Sequence, residues 1–102
     1  MIVYRWEWLI KHTRFQEATK LLKEGGESFW KAGKYVYRVY SSDVGPGDTL
    51  VFEAEAEDDT HFTEIFKGLE AWSNGPFGKD WWHKFDDMVE RQTSTERWNI
   101  VR

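Results

Sequence analysis

The residues of this sequence whose chemistry could be catalytic are His12, His61 and His83, the pair Glu53 and Glu55, and Ser41, Ser42 and Ser73. His83 and Asp87 stand i,i+4, and His61 and Glu64 stand i,i+3, so either pair can share one face of a helix. A protein metal site needs three or four ligands, and only two assemble at either place. A solvated helix face is the better reading, and no metal site is expected. Glu53 or Glu55 could act as a general acid or base if a subunit interface buried it; the alternative is a compensated network of ion pairs. The serines fall at turns or strand ends with no adjacent histidine to activate them. Gly45-Pro46-Gly47 leads into no helix and so is not a phosphate-binding loop. The chain has no cysteine, which excludes disulfides, thiolate nucleophiles and Cys-ligated zinc or iron–sulfur sites. No catalytic residue is assigned, and no cofactor is expected.

Binding is better signposted than catalysis. Seven tryptophans, seven phenylalanines and four tyrosines occur in 102 residues. A buried ring hides roughly 150–250 Å², so this load implies an aromatic core, a cavity or a shared interface. The candidate ligand pocket is Tyr4, Trp6, Trp8, Phe52, Phe66, Trp72, Trp82 and Trp98. It would suit a flat, apolar molecule. The alternative is a close-packed core plus a subunit contact. Trp72, Phe77, Trp81 and Trp82 crowd a helix break and would form a pocket mouth or such a contact.

These side chains need elements to position them. Ile2 to Ile10 alternates with period two and reads as a strand. His12 to Ala32 carries Phe15, Ala18, Leu22 and Phe29 at helical spacing, with Leu21 and Trp30 widening the stripe. Gly25-Gly26 should bend or interrupt that helix, and Gly33 should stop it. Tyr35 to Ser41 and Thr49 to Glu57 read as a hairpin around the turn from Asp43 to Asp48. Asp58-Asp59-Thr60 offers N-caps for a helix marked by Phe62, Ile65, Phe66, Leu69 and Trp72. Ser73-Asn74-Gly75-Pro76 breaks it, and a second piece from about Lys79 carries Trp82, Phe85 and Val89. Thr95 to Val101 reads as the last strand.

The order β-α-β-β-α-β, with the second helix broken near residues 73–78, is the ferredoxin-like arrangement of the α+β class. Helices cover one face of a four-stranded antiparallel sheet, with strand one between strands three and four. The helix-facing side is assigned Tyr4, Trp6, Trp8, Leu50, Phe52, Ala54, Ala56, Trp98 and Ile100. The small alanines opposite large tryptophans either complete the packing or leave a pocket. The other face mixes Val3, Leu9, Val51 and Val101 with Arg5, Glu7, Glu53, Glu55, Arg97 and Asn99. Arg5 should pair with Glu53 or Glu55, and Arg97 with Glu7. A half-apolar, charge-compensated face suits packing against a second copy, so a homodimer is expected.

Residues 1–102 fit one domain. The net charge of -4 argues against a general nucleic-acid binder, which needs a basic face, and against a polybasic membrane-surface protein. Arg5 and Glu7 interrupt the opening apolar run, so no membrane span or signal peptide is expected. A reducing cytoplasm is the default compartment.

The element order resembles that of the dimeric α+β barrel superfamily, which includes antibiotic-biosynthesis monooxygenase-like and NIPSNAP-like domains. The stretches KAGKYVYRVYSS, VFEAEAEDDTHFTEIF and AWSNGPFGKDWWHKF carry the resemblance. It implies two sheets packed face to face in a homodimer, with a pocket between each sheet and its own helices. Some members are cofactor-free oxygenases acting on polycyclic aromatics. Others degrade haem with an Asn on the first strand and a Trp and a His around the second helix. Trp72 and His83 echo that pair, but no Asn occupies the first strand here, so a haem role ranks last. The resemblance implies a small-molecule-binding or monooxygenase-like domain. The alternative is a non-catalytic stress or interaction module.

Overall fold

The alternating stretch Ile2–Ile10 forms the central strand β1, and a central strand needs hydrogen-bonding partners along both edges. A computed structural model, describing residues 1–42 and 47–101, supplies them. On one side lies β3 (Thr49–Ala56), with β2 (Tyr37–Ser41) beyond it; on the other lies β4 (Val89–Asn99). The sheet is antiparallel throughout, in the order β2-β3-β1-β4. The expected hairpin turn falls partly on residues 43–46, outside the described residues.

The helices are α1 (Phe15–Gly25), α2 (Asp59–Asn74) and α3 (Pro76–Met88). A short 3₁₀ turn, His12–Arg14, precedes α1. At Gly25-Gly26 the helix neither stops nor breaks: it widens into a π-helical stretch, Gly26–Lys31. The residue that turns left-handed at its end is Lys34 (φ 60°), one position after the expected Gly33. The Asp58 side chain accepts from the His61 backbone N–H and caps α2. Pro76 takes the first helical position of α3, where its missing N–H costs nothing. That start lies ahead of the Lys79 expected from periodicity. Gly78 lies against α2 so closely that a β-carbon there would sit 1.9 Å from the Trp72 carbonyl oxygen.

The helices bury the sheet face carrying Ile2, Trp8, Ile10, Leu50, Phe52, Ala54 and Ala56. Opposite them pack Ala18, Leu22, Trp30, Ile65, Trp81, Phe85 and Met88. Phe85 is wholly buried, with Trp8 edge-on at 5.0 Å and Trp81 stacked at 5.0 Å.

The edges of the sheet depart from expectation. β2 begins at Tyr37 rather than Tyr35. β4 begins at Val89, not Thr95, because β1 demands a partner along its whole length although VERQTS shows little apolar alternation. β4 reaches that length through irregularities opposite Glu7/Trp8 and Leu9/Ile10. Trp98 stands directly opposite Val3, and Arg97 opposite Tyr4. Direct antiparallel partners share a face, so Trp98 belongs to the open face and Arg97 to the helix side, the reverse of the sequence assignment. Ile100 lies beyond the strand and is exposed.

Candidate functional site

An apolar cavity of about 40 Å³ lies between the sheet and the helices. β1 and β3 contribute Trp6, Trp8 and Phe52; the α1–π segment contributes Leu22, Gly25, Gly26 and Trp30; α2 and α3 contribute Leu69, Trp72, Trp81 and Trp82. Trp81, Trp8 and Trp30 are buried, whereas Leu69, Trp72 and Trp82 are half-buried and form the side toward solvent.

Of the pocket residues read from the sequence, Trp6, Trp8, Phe52, Trp72 and Trp82 line this cavity. Tyr4 and Phe66 do not. They border a separate void of about 10 Å³ with Trp30, Ala54, Ala56, Phe62 and Ile65. The space above the alanines is therefore filled by neighbouring rings. Trp98 is remote from both, 58% exposed on the open sheet face. Trp81, grouped by the sequence with the rings at the helix break, instead forms the cavity floor. Its signal was the i, i+4, i+7 stripe Trp81, Phe85, Met88. Phe77 remains at the surface, edge-on to Trp72 at 5.9 Å.

The indole N–H groups of α2 and α3 are committed elsewhere. Trp81 Nε1–H donates to the Leu21 carbonyl (2.7 Å), Trp82 Nε1–H to Ser73 Oγ (2.8 Å), and Trp72 Nε1–H to Ser28 Oγ (3.0 Å). A buried water needs two to four polar partners. With these donors engaged and the lining formed of rings and aliphatic groups, the space favours an apolar occupant.

The other candidate chemistry is tied up structurally. His61 Nδ1 accepts the Glu57 backbone N–H (3.0 Å), so His61 serves the start of α2 rather than joining Glu64. Asp87 pairs with Arg14 (3.2 Å), and His83 is exposed. His12 pairs with Asp48 (2.9 Å). Among the described residues, no three His, Asp or Glu side chains converge as metal ligands.

Glu53 and Glu55 face the open side of the sheet, where Arg38 bridges them at 3.3 and 3.6 Å. Tyr40 Oη–H also donates to Glu53 (3.3 Å). Arg5 pairs not with these glutamates but with Glu96 (3.0 Å) and Glu7 (3.6 Å). Arg97, expected on Glu7, pairs with Asp59 and lies 4.5 Å over the Phe62 ring. Both differences follow from the phase of β4, which carries Glu96 to the open face and Arg97 to α2. Hydrogen bonding from Ser94, and then the ion pair with Arg5, hold the Glu96 carboxyl below its ordinary pKa. Val36, Tyr40 and Trp98 are exposed. The register carries Tyr40 and Trp98 to the open face, opposite Val51 and Val3.

No known family model matches the chain, and no curated protein matches it in sequence. Solved structures do match in fold. A NIPSNAP domain protein from Burkholderia xenovorans superposes with a TM-score of 0.78 at 17% identity, covering 99% of this chain and 95% of its own. A NIPSNAP family protein from Agrobacterium tumefaciens gives 0.79 at 14% identity, covering 98% and 92%. A structure described as an antibiotic biosynthesis monooxygenase gives 0.67 at 12% identity, covering 100% of both chains. No helix among the described residues is long and apolar enough to cross a membrane. The fold of this chain is thus the ferredoxin-like α+β fold seen in NIPSNAP and antibiotic-biosynthesis monooxygenase proteins.

Proposed function

We propose that residues 1–102 form a single homodimeric domain that binds a small apolar or aromatic molecule between its sheet and helices. The observation that carries this reading is the apolar cavity beside Trp72 and Trp82, whose neighbouring indole donors are already bonded. At about 40 Å³ it is far below the roughly 300–1,000 Å³ of a drug-sized site. It admits a few heavy atoms as it stands, and a ring only if part of its wall moves. The monooxygenase description of one structural neighbour extends the reading to cofactor-independent oxygenation. This cavity's lining contributes no carboxylate or imidazole, so binding is the activity the geometry supports first.

The open sheet face supports the dimer. Tyr40 and Trp98 are exposed there beside ion pairs closed within the chain, so a second copy could cover the face without stranding a charge. Dense packing elsewhere in the core favours a second reading, a non-catalytic interaction module whose rings serve only core and interface.

Tryptophan fluorescence during titration with a panel of small aromatics separates the two readings. A saturable change supports binding, and no change across the panel supports the module. Light scattering tests assembly: twice the chain mass of 12.2 kDa is expected, and a value near the chain mass itself overturns the dimer.

A further inference from the structure

A shallow groove of about 540 Å³ runs along the outside of α2, lined by residues including Phe62, Phe66, Leu69 and Ser73. The groove is open to solvent, whereas the inner cavity is too small for a ring. Leu69 lines both spaces. Ser73, on the groove, holds the indole N–H of Trp82, on the cavity. Leu69 and the Trp82–Ser73 hydrogen bond thus link the groove to the cavity.

We propose that Trp82 is a displaceable gate. Its indole occupies the position that a ligand takes, and the ligand is a planar bicyclic aromatic of indole size with one N–H or O–H donor. This rests on the sheet–helix pocket reading and adds the ligand class and the gating residue.

The neighbouring tryptophans differ from Trp82 in what holds them. Trp81 is 5% exposed, bonds to a backbone carbonyl and stacks on Phe85. Trp72 is flanked by Phe29, Phe77 and Trp81. Trp82 is half-buried, edge-on to Trp81 at 4.8 Å and to Phe85 at 6.3 Å. Its N–H is held by a serine hydroxyl, a neutral bond of modest net worth. When the indole swings out, Ser73 Oγ loses its donor and the space beside Trp81 opens toward the groove. An incoming ring replaces the stacking surface, and its own donor replaces the lost N–H. A molecule without a donor leaves that bond unmade.

The test uses the full chain labelled with 5-fluorotryptophan, with indole and 1-methylindole as probes, and the Trp82 fluorine resonance assigned from Trp82→Phe. Indole should shift that resonance saturably in the wild type and bind more weakly as 1-methylindole. Removing the gate removes the competition for the site, so Trp82→Ala should bind indole roughly tenfold tighter or more. Trp82→Phe, which keeps a smaller ring and loses the donor, should fall between the two and serves if the alanine variant does not fold. Ser73→Ala should erase the preference for indole over 1-methylindole. Equal indole affinity in the wild type and both Trp82 variants, or no preference for the donor with Ser73 present, overturns the gate while leaving the pocket standing. No binding of either probe to any of these proteins overturns gate and pocket together.

Discussion

The indole of Trp81 lies where a β-carbon on Gly25 would have to be, 2.6 Å from Trp81 Cε2. Gly25 closes α1 just where the helix widens, and Trp81 crosses it to reach the Leu21 carbonyl. The contact joins α1 to α3 and forms part of the cavity floor. The nearest ring is 5% exposed and held at its nitrogen, so it cannot yield cheaply. Gly25→Ala should therefore destabilise the fold by about 1–3 kcal/mol through overpacking. A urea titration reads this as a lower midpoint with an unchanged slope. An unchanged midpoint would mean that α1 and α3 slide apart freely.

Phe85 is 0% exposed between Trp8 and Trp81. Phe85→Ala should cost about 3–5 kcal/mol. Thermal unfolding followed by circular dichroism measures it. A loss well under 1 kcal/mol would show that the aromatic layer collapses into the space.

The depressed pKa of Glu96 predicts an acid-side dependence. A carboxyl whose folded value lies below its unfolded value stabilises the fold above the unfolded value, and that stability disappears as pH falls through the folded one. The causes, Ser94 first and then Arg5, stand on the open face. Glu96→Gln should flatten the loss of melting temperature between neutral pH and about pH 3. Melting curves with the same acid slope as the wild type would show that Glu96 does not drive it.

Tyr37 predicts the opposite limb. Its ring stacks on Phe52 at 5.5 Å, and desolvation, assisted by the charge of Glu27, raises its pKa. A group whose folded value is raised lends stability that is present below its unfolded value and lost as pH climbs through the folded one. Stability should thus fall above about pH 10, and Tyr37→Phe should remove part of that fall. The two proteins melting in parallel from neutral to strongly alkaline pH would refute it.

Trp98 tests the proposed dimer. It is the most exposed Phe, Tyr or Trp among the described residues, on the open face opposite Val3. Trp98→Glu should convert the proposed dimer to a monomer in light scattering, because a buried unpaired carboxylate is costly. Dimers of unchanged mass would place the interface elsewhere.

Much of the architecture was legible because it rests on local signals. The alternation of Ile2 to Ile10, the Asp58 cap and the Gly75-Pro76 break each specify their elements through backbone chemistry that neighbouring residues supply. The sequence also set Trp6, Trp8, Phe52, Trp72 and Trp82 on facing surfaces, because period two and period 3.6 assign those rings to them.

What only the tertiary structure decided is the phase of β4 and the filling of the core. β4 is mostly polar, so its register is set by hydrogen bonding to β1 and by the irregularities along it, not by its own pattern. A shift of one residue flips every side chain, which is why Trp98 and Arg97 exchanged faces. Likewise, the sequence left Ala54 and Ala56 as possible empty space. The answer depended on how far Trp30, Phe62 and Ile65 reach across from other elements, a matter of long-range packing. From the amino-acid sequence alone, this protein has an aromatic layer between a sheet and its helices. The packing of distant elements determined that the layer is nearly solid, with a small apolar cavity beside Trp82.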